Sequence, residues 1–280
     1  MYYLMVLFAA ILWGTTGTTQ TFLQGDISPI AVACLRSAIG GGVLLVFART
    51  IKWTTWPWRW NILAAIAIAL FQGLFFSSIR YMGVAIGTVV TIGSAPVFAG
   101  VIEWLIWKVR LAKIWVISTT FAILGCFLLF AVGGKATVNS FGILLALGGG
   151  CMFALYTNVS KRLTERVATM PAVAMTFSLC ALLLLPFAWY EGLSWMGTMN
   201  NVWPMIYMGI ATTSLAYMLF LGGLRAIPSS AAVTLSLAEP LTAALLGVFF
   251  LGEYLAWTSW VGILFIFAGI LVLTMANRAK

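Results

Sequence analysis

Histidine is absent from this chain of 280 residues, and acidic residues number only six. Without imidazole there are no nitrogen ligands for a membrane metalloprotease or desaturase centre, and no Ser–His dyad. Charge of either sign is scarce. Charged residues make up 8% of the chain and hydrophobic residues 63%, whereas an ordinary soluble domain carries about 25% charge. So few charges cannot clothe a soluble surface, and lipid must be the solvent for most of it. No G-x-x-x-x-G-K-[S/T] stretch occurs, so the chain has no nucleotide-binding loop of its own. The four cysteines, Cys34, Cys126, Cys151 and Cys180, form no C-x-x-C pair and lie in apolar stretches. They read as small buried hydrophobes with free thiols. No metal and no cofactor are expected.

What is present is a succession of apolar runs, near 2–23, 30–48, 61–80, 83–106, 112–132, 140–160, 171–190, 203–224, 229–250 and 257–276. Each is close to the roughly 20 residues that a helical span needs. The first is too long for a signal-peptide core and lacks a basic stretch before it, so it is expected to remain as a span. The expected fold class is therefore an all-α integral membrane protein with ten transmembrane helices. Net charge is +9, which in a soluble protein would suggest nucleic acid. Here the basic residues alternate with topology. Arg49, Lys52, Arg59, Lys108, Arg110, Lys113, Lys161, Arg162, Arg166, Arg225, Arg278 and Lys280 fall on one side of the alternation. Only Arg80 and Lys135 fall on the other, and Arg36 lies within a span. The positive-inside rule then puts both termini in the cytoplasm, and no nucleic-acid partner is expected. Tryptophans 53, 56, 58 and 60, then 104, 107 and 115, bracket two inside loops, and 195, 203, 257 and 260 mark outside ends, as an interfacial belt would.

A shift of 144 residues lays Gly93-Ser94-Ala95-Pro96-Val97-Phe98 on Leu237-Ala238-Glu239-Pro240-Leu241-Thr242, and Gly125 on Gly269. A shift of 142 pairs Pro29 with Pro171. The order of spans and prolines repeats, which divides the chain into 1–137 and 138–280. Five is an odd number of crossings, so two such units must have opposite orientation, an arrangement common in transporters with a midplane site.

Several short motifs fall in order along these spans: Trp13-Gly14; Ser28-Pro29 followed by Arg36; Tyr81-x-Gly83-x-x-x-Gly87; Pro96; Ala238-Glu239-Pro240; and Leu251-Gly252-Glu253-Tyr254-Leu255. With them the chain resembles the drug/metabolite transporter superfamily, EamA type, over nearly its full length. One departure is that Trp107-Lys108-Val109-Arg110-Leu111 stands where the first half would carry an L-G-E-like motif. Basic residues inside and an acid outside fit the topology rule, so the departure does not weaken the resemblance.

Ionisable groups at membrane depth are expensive and default to functional candidates. Glu239, beside Pro240, reads as a proton-coupling carboxylate, as a ligand for a substrate amine, or as a buried acid that is held neutral or bonded to backbone that the proline frees. Glu103 lies late in the fourth span, and Lys108 or Arg110 is its expected ion-pair partner. Arg36 is either an attractor for a substrate carboxylate or a snorkelling side chain with a gating or structural role. Pro96 and Pro240 free carbonyls at midplane, which points to cavity walls, although plain packing kinks would look the same. Ser94 and Ser236 stand close to these prolines. Trp13 is too deep for a belt, and Thr16 and Gln20 make the first span unusually polar. Gln72, Tyr156, Asn158 and Tyr217 complete a proposed aromatic midplane pocket, against the alternative of ordinary interhelical packing. The clusters Gly40-Gly41-Gly42, Gly83-x-x-x-Gly87 and Gly148-Gly149-Gly150 read as close helix contacts.

The resemblance implies a secondary transporter that exports small metabolites, amino acids above all, by alternating access across a bacterial-type inner membrane. Protons are the candidate coupling ion. Efflux of lipophilic cations is the alternative. A channel would need a continuous pore, which inverted halves do not suggest, and an enzyme is not expected. Monomer and homodimer both remain open.

Overall fold

The computed structural model describes residues 1–25, 27–48, 51, 53–130, 139–252 and 254–276. The expectations placed on Arg49, Lys52, Lys135, Glu253, Arg278 and Lys280 lie outside the described residues. Among the described residues there is no strand.

Among the described residues ten long helices follow one another: α1 (Tyr2–Gln20), α2 (Pro29–Phe47), α3 (Trp58–Val84), α4 (Ile86–Leu105), α5 (Lys113–Phe130), α6 (Ser140–Thr164), α7 (Thr169–Glu191), α8 (Met199–Leu224), α9 (Ser229–Leu251) and α10 (Trp257–Ala276). Eight are long and apolar enough to cross a membrane. Helix α5 is apolar but shorter. Helix α1 has 19 residues, and its second half holds Thr15, Thr16, Thr18, Thr19 and Gln20. Helix starts follow local chemistry. The Ser28 hydroxyl accepts the Ala31 N–H at 3.2 Å with Pro29 in the first turn, and Asn139 accepts from Phe141 and Gly142.

Three interruptions depart from ten uniform spans. First, α3 and α4 have no loop between them. The turn is made at Gly83, with φ 80° and ψ 164°, a conformation that a side chain would strain. Gly87 then returns against Ser78 and Ile79, so the two helices form a tight hairpin. Second, α8 is π-helical over Met208–Leu215. There the Thr212 and Thr213 hydroxyls donate to the Met208 carbonyl, and the Ser214 hydroxyl donates to the Gly209 and Gly40 carbonyls. Hydroxyls of this kind compete with the backbone for its acceptors. Third, α9 breaks at Ser236–Leu237, before Pro240. Proline has no N–H for the carbonyl four residues back, and that carbonyl, Ser236, accepts instead from the Glu239 N–H at 2.9 Å. Pro96 is carried differently: α4 runs through it without a break, although the Ile92 carbonyl four residues back has no proline N–H to accept. A helix break accompanies Pro240 and not Pro96.

The helix pairings carry an internal symmetry. Helix α2 packs on α7, its counterpart in the second half, and α5 packs on α10. Helix α1 packs on α8 and α9, while α6 packs on the α3–α4 hairpin. Each half's first helix is thus inserted against the other half's third and fourth. The α5–α10 crossing is tight: a Cβ built on Gly262 would lie 2.5 Å from the Gly125 carbonyl oxygen and from the Leu129 nitrogen. Small residues permit such backbone approach where lipid supplies no hydrophobic drive.

The two ends of the bundle differ. At one end Arg80 pairs with Glu191 at 2.9 Å, the Ser28 hydroxyl donates to the same carboxylate, and Asn201 accepts the Gln24 N–H at 2.7 Å. At the other end Trp60 meets Trp107, Arg162 lies over the Trp107 ring, and Arg166 lies over Trp60. The second group comes from loops that the charge pattern places together. Two of the expected belt tryptophans are packed inside the protein. Trp56 is buried and donates to Asn61 at 3.1 Å, and Trp195 is buried with its carbonyl held by Asn201.

Candidate functional site

A cavity of about 390 Å³ lies between the halves. From α1 it takes Trp13, Thr16 and Gln20, from α2 Arg36, and from α3 Phe71, Gln72, Phe75 and Phe76. Thr88, Thr91, Ile92 and Ala95 line it from α4, Phe153 from α6, Tyr217 from α8, and Ser236, Glu239, Pro240 and Ala243 from α9. It reaches from the middle of these helices towards the Arg80 end, where Pro29, Ile79 and Val84 border it.

One acid and one base share this wall. The Arg36 guanidinium donates to the Gln72 side-chain oxygen at 2.9 Å, and the Gln72 amide donates in turn to Cys180. Bonds of this kind fix the arginine in place instead of letting it reach for the interface. The Glu239 side chain makes no hydrogen bond to any described residue, and Arg36 is the cation within electrostatic reach of it. The break at Ser236–Leu237 sets this carboxylate at the start of a fresh helical segment, where helix polarity favours an anion. Thr16 and Thr91, on opposite walls, have hydroxyl oxygens without a hydrogen-bond partner.

Aromatic rings form the floor. Trp13 packs against Tyr217, Phe220 and Phe153, with centroids 4.8, 5.1 and 6.1 Å away. Its indole N–H donates to the Thr212 carbonyl at 3.1 Å, within the π-helical stretch. That bond crosses the bundle from the first helix to the eighth. Trp13→Phe keeps a ring but loses the donor. It is expected to cost about 1 kcal/mol, the net worth of a typical hydrogen bond, and to lower the melting temperature of purified protein in detergent by a few degrees.

The cavity thus brings together Trp13, Thr16, Gln20, Gln72, Tyr217, Ser236, Glu239 and Pro240, with Arg36 beside them. Four sequence candidates lie outside its wall. Ser94 faces Gly150 of α6 and donates to the Thr91 carbonyl. Pro96 is off the Thr88–Thr91–Ala95 stripe that α4 turns to the cavity. Tyr156 sits behind Tyr217, 5.8 Å between ring centroids, and Asn158 donates to the Ala99 and Ala154 carbonyls. Glu103 also departs from expectation. Its carboxylate accepts the backbone N–H groups of Ser229 (2.6 Å) and Ser230 (3.1 Å), so it caps α9 where an ion pair with Lys108 or Arg110 was expected. Free N–H groups at a helix start are strong carboxylate partners.

Sequence reasoning missed Phe71, Phe75, Phe76, Thr88, Thr91 and Phe153. The signal was there for some: Phe71 and Phe75 are one turn apart around Gln72, and Thr88, Thr91 and Ala95 share one helical face.

An all-helical membrane bundle with an aromatic-floored chamber, holding one acid and one base, between symmetrically paired halves defines a transporter-like protein. The model of the EamA-like transporter family matches residues 1–131 and 140–275, and the chain belongs to that family. It is 43% identical to the uncharacterized transporter YwfM of Bacillus subtilis, over all of this chain and 96% of that protein. It is also 26% identical to the uncharacterized inner membrane transporter YicL of Salmonella typhimurium, over 99% and 96% of the two chains. Protein PecM of Dickeya dadantii is 28% identical over 98% of this chain and 93% of its own length. A protein of known crystal structure shares the fold, with a TM-score of 0.85 over 99% of this chain and 98% of its own, at 20% identity. The protein is a multi-pass small-molecule transporter.

Proposed function

We propose that the protein exports small zwitterionic metabolites, amino acids first among them, by alternating access between units 1–137 and 138–280. It would sit in a bacterial-type inner membrane with both termini in the cytoplasm. The observation that carries this reading is the presence of Arg36 and Glu239 on one cavity wall system. A fixed guanidinium suits a substrate carboxylate and an unengaged carboxylate suits an ammonium. Trp13, Phe71, Phe75 and Tyr217 offer rings to an apolar side chain and to the ammonium group. Thr16 and Thr91 supply spare hydroxyls.

Purified protein in liposomes is expected to move labelled amino acids faster than empty liposomes do. Flux equal to empty liposomes across a panel of amino acids would overturn the substrate class. Efflux of lipophilic cations is the second reading, favoured by the aromatic walls around Glu239. It gives Arg36 no task. Dye efflux from cells that overproduce the protein, unaffected by added amino acids, would move the reading to it.

A further inference from the structure

Two glycines of α1 show where it parts from α9. A Cβ built on Gly14 would lie 2.5 Å from the Thr242 Cβ, so the helices touch there. A Cβ built on Gly17, one turn later, would meet no described residue within 4 Å. Beyond that point a second cavity, of about 570 Å³, lies between Gly17, Thr18 and Thr21 of α1 and Gly247 and Leu251 of α9. It shares Gly17, Val84 and Ala243 with the first cavity, so the two adjoin. Helices α1 and α9 thus cross tightly at midplane and diverge towards the Arg80 end.

The inverted half contains the same crossing with the opposite outcome. The shift of 144 residues lays Gly14 on Asn158, Gly17 on Lys161, Thr18 on Arg162, Ala243 on Ala99 and Leu251 on Trp107. Helices α6 and α4 also touch at the first of these places, where the Asn158 amide donates to the Ala99 carbonyl at 3.4 Å. From there they stay together. The Arg162 guanidinium lies 4.2 Å from the centre of the Trp107 ring, and bonds to Glu165 of 3.1 and 3.2 Å hold it there. A cation over an indole face is attracted by the ring's quadrupole. Lys161 donates to the Ile227 carbonyl, which ties α6 to the loop before α9. Positions that border a void at the Arg80 end are therefore engaged at the Trp107 end. One chain holds two copies of this crossing, one open and one shut, so the architecture accommodates both forms.

We propose that the second cavity is the outer vestibule of the transport path, entered between α1 and α9, and that Arg162 on Trp107 is the inner gate, closing the equivalent route between α6 and α4. Turnover exchanges the two forms: Arg162 leaves Trp107 as Thr18 closes on Leu251. This rests on the alternating-access reading above and not on the identity of the substrate.

The test uses full-length protein with its four native cysteines replaced, in liposomes without substrate. Ala243→Cys reports the vestibule and Ala99→Cys the equivalent inner position, each by its rate of reaction with a membrane-impermeant thiol reagent. With the gate intact, Ala243→Cys is expected to react from the Arg80 side, and Ala99→Cys, fully buried, to be protected from both sides. With Arg162→Ala, Ala99→Cys is expected to react at least tenfold faster from the Trp107 side, and Ala243→Cys correspondingly slower. Arg162→Lys, which keeps a cation for the ring, should restore protection. Hydrogen exchange is the second measurement and needs no buried substitution: Arg162→Ala should speed amide exchange in α6 over 158–164 and slow it in α1 over 14–20. The gate is overturned if Ala99→Cys stays protected in a folded Arg162→Ala protein, or if exchange over 158–164 is unchanged. The vestibule is overturned if Ala243→Cys is unreactive from the Arg80 side with the gate intact. Both cysteines reactive at once in Arg162→Ala would leave the gate standing and overturn alternating access.

Discussion

Glu239→Gln is expected to lower transport on the order of 100-fold without reducing the amount of folded protein. The side chain has no hydrogen bond to lose within the described chain, so glutamine, which has the same shape, should cost the fold little. What it removes is charge and the ability to carry a proton. A hydrogen bond to a charged group is worth about 1.5–3 kcal/mol, and 1.4 kcal/mol is a factor of ten. Two flux modes separate the roles. If Glu239 carries the coupling proton, uphill movement driven by a pH gradient disappears while exchange of labelled for unlabelled substrate continues. If it binds the substrate amine, both modes fall together. A variant that transports normally in both modes would remove Glu239 from the mechanism.

Gly262→Val is expected to do severe structural damage to the bundle. The added Cβ would meet the Gly125 carbonyl and the Leu129 nitrogen at 2.5 Å, and these are backbone atoms that cannot rotate away. Helices α5 and α10 must separate, which also strains the Ser259 hydroxyl bond to the Leu129 carbonyl at 2.8 Å. Overpacking of this kind costs about 1–3 kcal/mol or more, or several degrees of melting temperature for a chain of this size. The check is thermal unfolding of purified protein in detergent, with Gly42→Val as the comparison because nothing lies within 4 Å of a Cβ there. Equal melting temperatures for the two variants would contradict the tight crossing.

The fold was legible because its information is compositional. Apolar runs of span length and alternating basic loops follow from the bilayer itself, and helix starts at Ser28 and Asn139 follow from local capping. The interruptions were harder. Gly83 was noted as part of a packing motif, but a one-residue hairpin without a loop leaves no polar stretch to read. The π-helical stretch depends on bonds that reach from α8 to the Gly40 carbonyl on α2 and to Trp13 on α1, which no local pattern encodes. Pro96 and Pro240 align in the repeat, yet only Pro240 is accompanied by a break. At the site, residues with an unusual character for their depth were easy to single out: Trp13, Arg36, Gln72 and Glu239 all border the cavity. Tyr156 and Asn158 were equally conspicuous but lie below the floor, because sequence gives the depth of a residue and not the conformation of the bundle. Glu103 was read against its nearest neighbours in sequence, whereas its partners come from a helix more than a hundred residues away.

The central claim is that the chamber between the halves is the route of the solute. The most direct test places a single cysteine at Thr88, on the chamber wall contributed by α4, in protein lacking the four native cysteines. A bulky impermeant thiol reagent added from the Arg80 side should abolish flux, and transported amino acid should slow its reaction. Complete modification at this position with undiminished flux would contradict the claim.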